Sequence, residues 1–248
     1  QKITRYDTDK YPQVKCSKAF QMNFLENDYT TYHLVVDLVD EMIEKYGEVI
    51  PKESAVLFGS FAVGSETTRE AFNAAFDAQQ SRFSPTKLFT ANSDLLAALV
   101  AGKLKVEGIN TSLQGSCSAS MFNLQFATML IQSGQAPAAI VGNADMPIMP
   151  KMQYYWQCTS AISTKNGGQC KPFDNDRDGF IQGEGGTLWF LCDEETLIKN
   201  NLTPKAIIRS IASGAKVASM TAHDKTGEHQ TKIINRALDM AKITTQDV

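Results

Sequence analysis

The 248-residue sequence is poor in histidine (3) and tryptophan (2) and has no Cys-x-x-Cys pair. It also contains no apolar run near the roughly 20 residues that a bilayer-spanning helix needs. Its five cysteines, Cys16, Cys117, Cys158, Cys170 and Cys192, are an odd number at wide spacing, and the three histidines lie far from any cysteine cluster. That excludes a zinc site of common type and speaks against a disulfide framework. The expected setting is reducing and cytoplasmic. A basic excess is missing as well. The net charge is −3, with no basic stripe carrying interleaved aromatics, which argues against a nucleic-acid partner. There is no low-complexity linker and no repeat with a period of a few tens of residues. The opening Gln1-Lys2-Ile3-Thr4-Arg5 lacks signal-peptide character and an initiator Met, so the chain is expected to have been cut or trimmed.

What is present is ordinary globular composition, 43% hydrophobic and 21% charged. The length suffices for one large domain or two small ones with a proper core. The stretch richest in chemistry is Gln114-Gly115-Ser116-Cys117-Ser118-Ala119-Ser120, followed by an amphipathic run from Met121 to Gln132 that Gly134 closes. It reads as a strand end, a tight turn, and a helix that begins at the cysteine. A helix N-terminus offers unpaired N–H groups and a positive dipole end, which favour a thiolate over a thiol. A sharp strand-to-helix turn also lifts the corner side chain toward a substrate. Cys117 is therefore a candidate nucleophile. A free cysteine filling a small core gap is the competing reading.

Taken in order, residues 1–26 are polar and irregular. Asp28 to Tyr46 is a predicted helix, with Tyr29, Val36, Val39, Met42 and Ile43 three or four apart and Gly47 ending it. His33, inside it, reads as a packing or surface residue rather than a ligand. Ser54 to Gly59 suits a buried strand, Thr67 to Gln80 a helix, and Asp94 to Ala101 a small-residue helix closed by Gly102. Thr111 to Leu113 leads as a strand into the Cys117 turn. Ala138 to Gly142, Thr187 to Cys192 and Ala206 to Ala212 are further predicted strands, and Gln230 to Ala241 a helix. Continuous apolar strands alternating with helices imply one α/β unit with a parallel sheet covered on both faces.

Asp174-Asn175-Asp176-Arg177-Asp178-Gly179 opens like a calcium-binding loop, but the closing acid would fall at Gly185, and Glu184 is one residue early. Pro172 and Phe173 stand where an entering helix is required, and Arg177 opposes a dication. The segment needs another explanation.

Lys171-Pro172-Phe173-Asp174 through Arg177-Asp178-Gly179-Phe180 to Gly183-Glu184-Gly185-Gly186 resembles the P-F-D-x-x-R-D-G-F-x-x-G-E-G signature of the β-ketoacyl-acyl-carrier-protein synthases of the thiolase superfamily. Ala161-Ile162-Ser163-Thr164-Lys165-Asn166 is similar to the A-L-S-T-R-N segment before that signature. Cys117-Ser118-Ala119-Ser120 falls where the family has its nucleophile, and Val141-Gly142-Asn143-Ala144-Asp145 where it has an A-G-G-A-E strand end. The resemblance covers about Asp28 to Val248.

It implies a thiolase-like, layered α-β-α fold with a mixed, mainly parallel sheet, the N-terminal half of a duplicated architecture. Residues 1–248 are then the nucleophile-bearing domain, expected to lack the first strand and the histidine-bearing C-terminal half. The implied activity is that of a 3-oxoacyl-[acyl-carrier-protein] synthase in fatty acid, polyketide or polyene synthesis. Cys117 takes an acyl group, and a malonyl thioester loses carbon dioxide and condenses with it. Trp156, Phe61 and Ala62 are implied to line the acyl pocket, with core or dimer packing the alternative for Trp156, Tyr154 and Tyr155. Asp174, Arg177 and Asp178 are expected to hold a pocket-edge loop, and Glu184 with its glycines to allow close strand packing. The implied partners are an acyl carrier protein and a second ketosynthase subunit, in a homodimer or heterodimer. No metal or organic cofactor, nucleic acid or membrane is implied.

The departures are specific. The family's N-A-H-G-T and later G-H histidines do not occur, and Gly115-Ser116 stands where the family has T-A. No role transfers to His223 or His229. A noncatalytic partner subunit of the chain-length-factor kind is the first alternative. A cysteine-elbow α/β-hydrolase is the second, and a purely structural or binding module with an unreactive Cys117 the third.

Overall fold

A computed structural model describes residues 1–22, 30–61, 93–215 and 226–248. The predicted helix Thr67 to Gln80, and with it Ala62 and His223, lie outside the described residues. Four strands form one sheet in the order β2-β1-β3-β4. They are β1 (Ala55–Gly59), β2 (Asn110–Thr111), β3 (Ala138–Asp145) and β4 (Gly185–Cys192). Strand β1 pairs in parallel with β2 and β3, and β4 closes the order antiparallel to β3, with Ala138 opposite Cys192 and Asp145 opposite Gly185.

Strand β1 is buried along its whole length, so its side chains divide between two cores by simple alternation. Val56 and Phe58 join Ile140 against α1 (Thr31–Tyr46) and α2 (Ser93–Leu104). Ala55 and Leu57 join Ala139 and Val141 against Ala127 and Leu130 of α3 (Ala119–Gln132). The result is the α-β-α layering implied above. Completely burying side chains the size of Leu57 or Phe58 contributes about 1.5–3 kcal/mol each.

Several sequence expectations shift. Helix α1 buries Leu34, Val35, Val39 and Met42, leaving Ile43 exposed. His33 serves its N-terminus, where the Thr30 N–H donates to His33 Nδ1 at 3.2 Å. Gly102 does not stop α2. A Cβ there would meet nothing within 4 Å, so the helix passes through it and ends where Lys105 turns left-handed (φ 56°) and the Val106 N–H reaches Ala101 O. Strand β2 stops at Thr111, because the Ser112 hydroxyl donates to Phe58 O and side-chain atoms of Asn123 take both backbone groups of Leu113. Ala206 to Ala212 is not a strand. The segment runs without a strand partner among the described residues, and Ile207 is exposed. Its contact is instead with α6 (Glu228–Ala241), where the Ser210 hydroxyl donates to Ala237 O.

Short helical elements lie between these. Helix α4 (Pro150–Cys158) starts on a proline, and α5 (Glu194–Lys199) is capped by Asp193, which accepts from the Thr196 N–H at 2.7 Å. A 3₁₀ turn spans Lys165–Gly167. The N-terminal segment, irregular by sequence, is a strap. Lys2 bridges to Lys18 within the strap, and Phe20 bridges to Gly183, fastening it to the signature region.

Candidate active site

The carboxyl ends of the three parallel strands collect every candidate pocket residue that the structure describes. Phe61 follows β1, Cys117 follows β2, and Trp156 lies on α4, the helix after β3. In parallel α/β sheets this edge is where side chains can be presented without breaking the ladder. The end of β1 also meets α3 and β3. A Cβ built on Gly59 would lie 3.0 Å from Asn123 Nδ2, 3.3 Å from Ala119 Cβ and 3.3 Å from Asn143 Nδ2.

Cys117 sits in a 3₁₀ turn, Ser116–Ser118, so it precedes the α-helix instead of opening it. The turn is tight. Ser116 adopts φ 52°, a region that costs a non-glycine residue about 1–2 kcal/mol, and the Ser118 N–H donates to Gly115 O at 2.9 Å. Cys117 is exposed, and the Ser116 hydroxyl lies 4.0 Å from its sulfur. No side chain caps the N-terminus of α3, and no acidic residue occupies its first turn. The positive end of that helix is thereby left facing the cysteine turn.

Two groups hold this elbow, and neither was singled out by sequence. Asn123 is completely buried. Its Oδ1 accepts from the Leu113 N–H at 3.0 Å, while its Nδ2 donates to Leu113 O at 3.2 Å and to Ala119 O at 2.8 Å. It ties the strand exit to the first turn of the helix. Phe122 covers Gly115, where an added Cβ would lie 2.4 Å from the ring. That explains why glycine stands where the family carries a threonine.

Phe61 and Trp156 come together. Their rings stack at 5.6 Å and 28°, Phe180 packs edge-on against Trp156 at 5.6 Å, and Tyr155 does so at 4.9 Å. Asp145 fixes Phe61, accepting from its N–H at 2.8 Å and from the Ser60 hydroxyl at 2.7 Å. Phe180, singled out by sequence only as part of the signature, is thus the third ring of this cluster. Tyr154 and Tyr155 are both exposed.

The signature residues are occupied with the backbone. Asp178 accepts from the Ser163 hydroxyl at 2.7 Å and from the Thr164 and Lys165 N–H groups at 3.2 Å each. The Ser163 bond, with those two behind it, holds its carboxyl below the usual aspartate range. Asp174 accepts from the Asp176 N–H, and Arg177 donates to Asp174 O. Gly179 (φ 146°) would place a Cβ 2.6 Å from Ala161 O, Ile162 C and Ser163 N. Glu184 departs from its expected role in strand packing. It is an ion-pair partner, with Arg5 Nη2 at 2.8 Å, and it also accepts from the Met22 N–H at 3.1 Å. Among the described residues no group of His, Cys, Asp and Glu is arranged to hold a metal ion, and no helix is long and apolar enough to cross a membrane. All five cysteines are free.

The family model for the beta-ketoacyl synthase N-terminal domain matches residues 30–196, well over half of the chain. The chain belongs to the β-ketoacyl synthase family. It is 28% identical over 152 residues to the tetracenomycin polyketide synthase ketoacyl synthase alpha subunit of Streptomyces glaucescens, a match covering 60% of this chain and 36% of the relative. It is 25% identical to a 3-oxoacyl-[acyl-carrier-protein] synthase 2 of Staphylococcus aureus over its whole length, covering 65% of that protein. This ketosynthase-family chain therefore spans about two thirds or less of the length of these relatives. In structure it resembles a beta-ketoacyl synthase from Burkholderia phymatum, with a TM-score of 0.81 at 18% identity over 95% of this chain and 62% of the other. The ishigamide ketosynthase/chain length factor matches with a TM-score of 0.77 at 20% identity over 100% and 64%. Both share its thiolase-like fold.

Proposed function

We propose that the protein carrying this chain is a 3-oxoacyl-[acyl-carrier-protein] synthase acting in fatty acid or polyketide synthesis, with Cys117 as the acyl-accepting nucleophile. The observation that carries this reading is an exposed cysteine on a strained elbow at the carboxyl edge of the parallel strands, within a family domain whose nucleophile falls there. In the first step the Cys117 sulfur attacks the carbonyl carbon of an acyl thioester on a carrier protein. A C–S bond forms to Cys117, the carrier's C–S bond breaks, and the carrier thiol leaves with the proton. The Cys117 amide and the positive end of α3 are what this chain offers to the oxyanion, the Ser118 and Ala119 amides being bonded within the turn. In the second step a malonyl thioester loses carbon dioxide, and the resulting enolate carbon attacks the acyl-Cys117 carbonyl and releases the thiolate.

The family stabilises that enolate with two histidines, and neither motif occurs in the 248 residues. The 248 residues alone are therefore proposed to take no part in condensation without them. Phe61, Trp156 and Phe180 form the acyl-chain wall, with Ala62 beside them in sequence. The partners follow the same reading: an acyl carrier protein, and a second ketosynthase-type subunit in a homodimer or heterodimer. The setting is cytoplasmic.

The test is transfer of a labelled acyl group from a carrier-protein thioester, followed by mass mapping. Label on the Cys117 peptide that is lost in Cys117→Ala supports the reading, and label absent from Cys117 overturns it. Formation of a 3-ketoacyl product by the 248 residues alone would overturn the stated division of labour. A second reading has one observation in its favour. Trp156 stacked on Phe61 and met by Phe180 fills space in which an acyl chain would lie, which suits a noncatalytic chain-length-factor-like subunit. That subunit would leave Cys117 unacylated under the same assay.

A further inference from the structure

Ser116 immediately precedes the candidate nucleophile, with its hydroxyl 4.0 Å from the Cys117 sulfur. No other side chain among the described residues lies within hydrogen-bonding reach of that sulfur. The placement is fixed from both sides. Ser116 O accepts from the Ala119 N–H, and the Ser118 N–H donates to Gly115 O at 2.9 Å. Serine also holds a left-handed conformation here, φ 52°, that glycine would adopt without strain. Strain kept at a reactive turn points to a side chain that is needed there. The hydroxyl is moreover a departure of this chain. The family pattern has T-A where Gly115-Ser116 stands, and alanine carries no donor.

Charge does not compete with it. Strands β1 and β2, the turn from Ser112 to Ser118, and α3 contain no charged residue. The one carboxylate on β3, Asp145, accepts from the Ser60 hydroxyl and the Phe61 N–H. Helix α4 has only Lys151, which is exposed. Besides the positive end of α3, the Ser116 O–H is thus the local group that distinguishes a thiolate from a thiol.

We infer that Ser116 is a positioning residue whose hydroxyl donates to the ionised sulfur of Cys117, holding it as thiolate before acylation and again as the condensed product leaves. The account of acylation rests on the ketosynthase reading above. The hydroxyl keeps its proton in both steps. Hydrogen bonds to an ionised acceptor are shorter and stronger than those to a neutral one, so the 4.0 Å separation closes as the sulfur ionises.

The experiment uses the protein at its full natural length and follows iodoacetamide alkylation of Cys117, counted by mass, from about pH 5 to about pH 10. Cys158 and Cys170, both exposed, are the internal standards. In Ser116→Ala the midpoint of the Cys117 profile is expected to rise by about half to one pH unit, slowing alkylation below the midpoint about three- to tenfold. The rate at high pH should hold or rise slightly, because a thiolate that loses a donor is the better nucleophile. Ser116→Gly, which removes the hydroxyl and the strain together, should match it. Acyl transfer to Cys117 from a carrier-protein thioester should slow by a similar factor at neutral pH. An unmoved midpoint in Ser116→Ala overturns the inference. So does a midpoint that only Ser116→Gly moves, since the backbone is then the cause. A lowered high-pH rate with no shift of midpoint does the same, because it marks changed access to the sulfur. A midpoint that rises as expected in a protein whose Cys117 takes no acyl group supports the hydrogen bond and overturns the ketosynthase reading instead.

Discussion

Asn123 holds Leu113 by both of its backbone groups, at 3.0 and 3.2 Å, and spends its remaining amide hydrogen on Ala119 O in the first turn of α3. The residue that leaves β2 and the helix that carries the elbow are therefore one hydrogen-bonded unit, with Cys117 between them. Asn123→Ala would strand the half-buried Leu113 N–H and free the turn. The expected loss is about 3 kcal/mol of stability, read as a lower urea midpoint. Alkylation of Cys117 should change relative to Cys158 and Cys170, two other exposed thiols that serve as internal standards. A variant with native stability and an unchanged Cys117 ratio would show that the amide has no part in positioning the elbow.

Gly115 and Phe122 form a matched pair on the other side of the same turn. An alanine Cβ at 115 would fall 2.4 Å from the Phe122 ring, so Gly115→Ala must displace either the ring or the backbone beside the cysteine. The expected cost is about 1–3 kcal/mol. Phe122→Leu alone should cost less, and combining it with Gly115→Ala should recover most of the stability, giving a clear coupling in a double-mutant cycle. Simple additivity of the two changes would mean that the ring does not decide why glycine stands here.

Much of this architecture was legible from residue patterns, for physical reasons that particular elements make plain. Strands β1 and β3 are continuous apolar runs because both faces are covered, and such runs announce themselves. The segment Ala206 to Ala212 has a similar composition, but composition carries no information about a pairing partner, and the segment has none among the described residues. Gly102 misled because an exposed glycine costs a helix little, whereas the true stop at Lys105 depends on a left-handed turn that lysine does not advertise. At the site, Cys117 and the signature were visible as local strings. Asn123 was not, since its role depends on where the Leu113 and Ala119 backbone groups point. The stack of Phe61 on Trp156 and the bond from Arg5 to Glu184 join residues far apart in sequence, which local patterns cannot show.

Asp178 yields a prediction about pH. Its carboxyl is held below the ordinary aspartate range, first by the Ser163 hydroxyl and then by the Lys165 and Thr164 N–H groups. A depressed folded-state pKa stabilises the protein above the unfolded value of about 3.9 and is lost as the pH falls through the folded value. The gap in stability between the natural protein and Asp178→Asn should therefore be widest near neutrality and should close below about pH 4. Urea midpoints measured from pH 3 to 7 decide it. A gap constant across that range would show that the ionised carboxylate is not what holds residues 163–165.

Arg5 and Glu184 fasten the N-terminal strap to the start of β4, with side chains 15% and 2% exposed and a contact at 2.8 Å. So buried a carboxylate depends on its cation. Arg5 Nε lies 3.2 Å from both carboxylate oxygens, and the Met22 N–H adds a third donor. Removing one member of such a pair leaves an uncompensated charge, at about 3–5 kcal/mol, while replacing both with apolar side chains costs much less. Arg5→Met should accordingly destabilise the protein more than the double change Arg5→Met, Glu184→Leu does. The strap should also become the first site of limited proteolysis in the single variant, because Arg5 is its buried ion-pair anchor and the backbone bonds Phe20 N–H to Gln182 O and Glu184 N–H to Phe20 O are then left to hold that end. Urea denaturation of the two singles and the double closes the cycle. If the double variant is as unstable as Arg5→Met, the attachment depends on the bond itself and not on relieving a stranded charge.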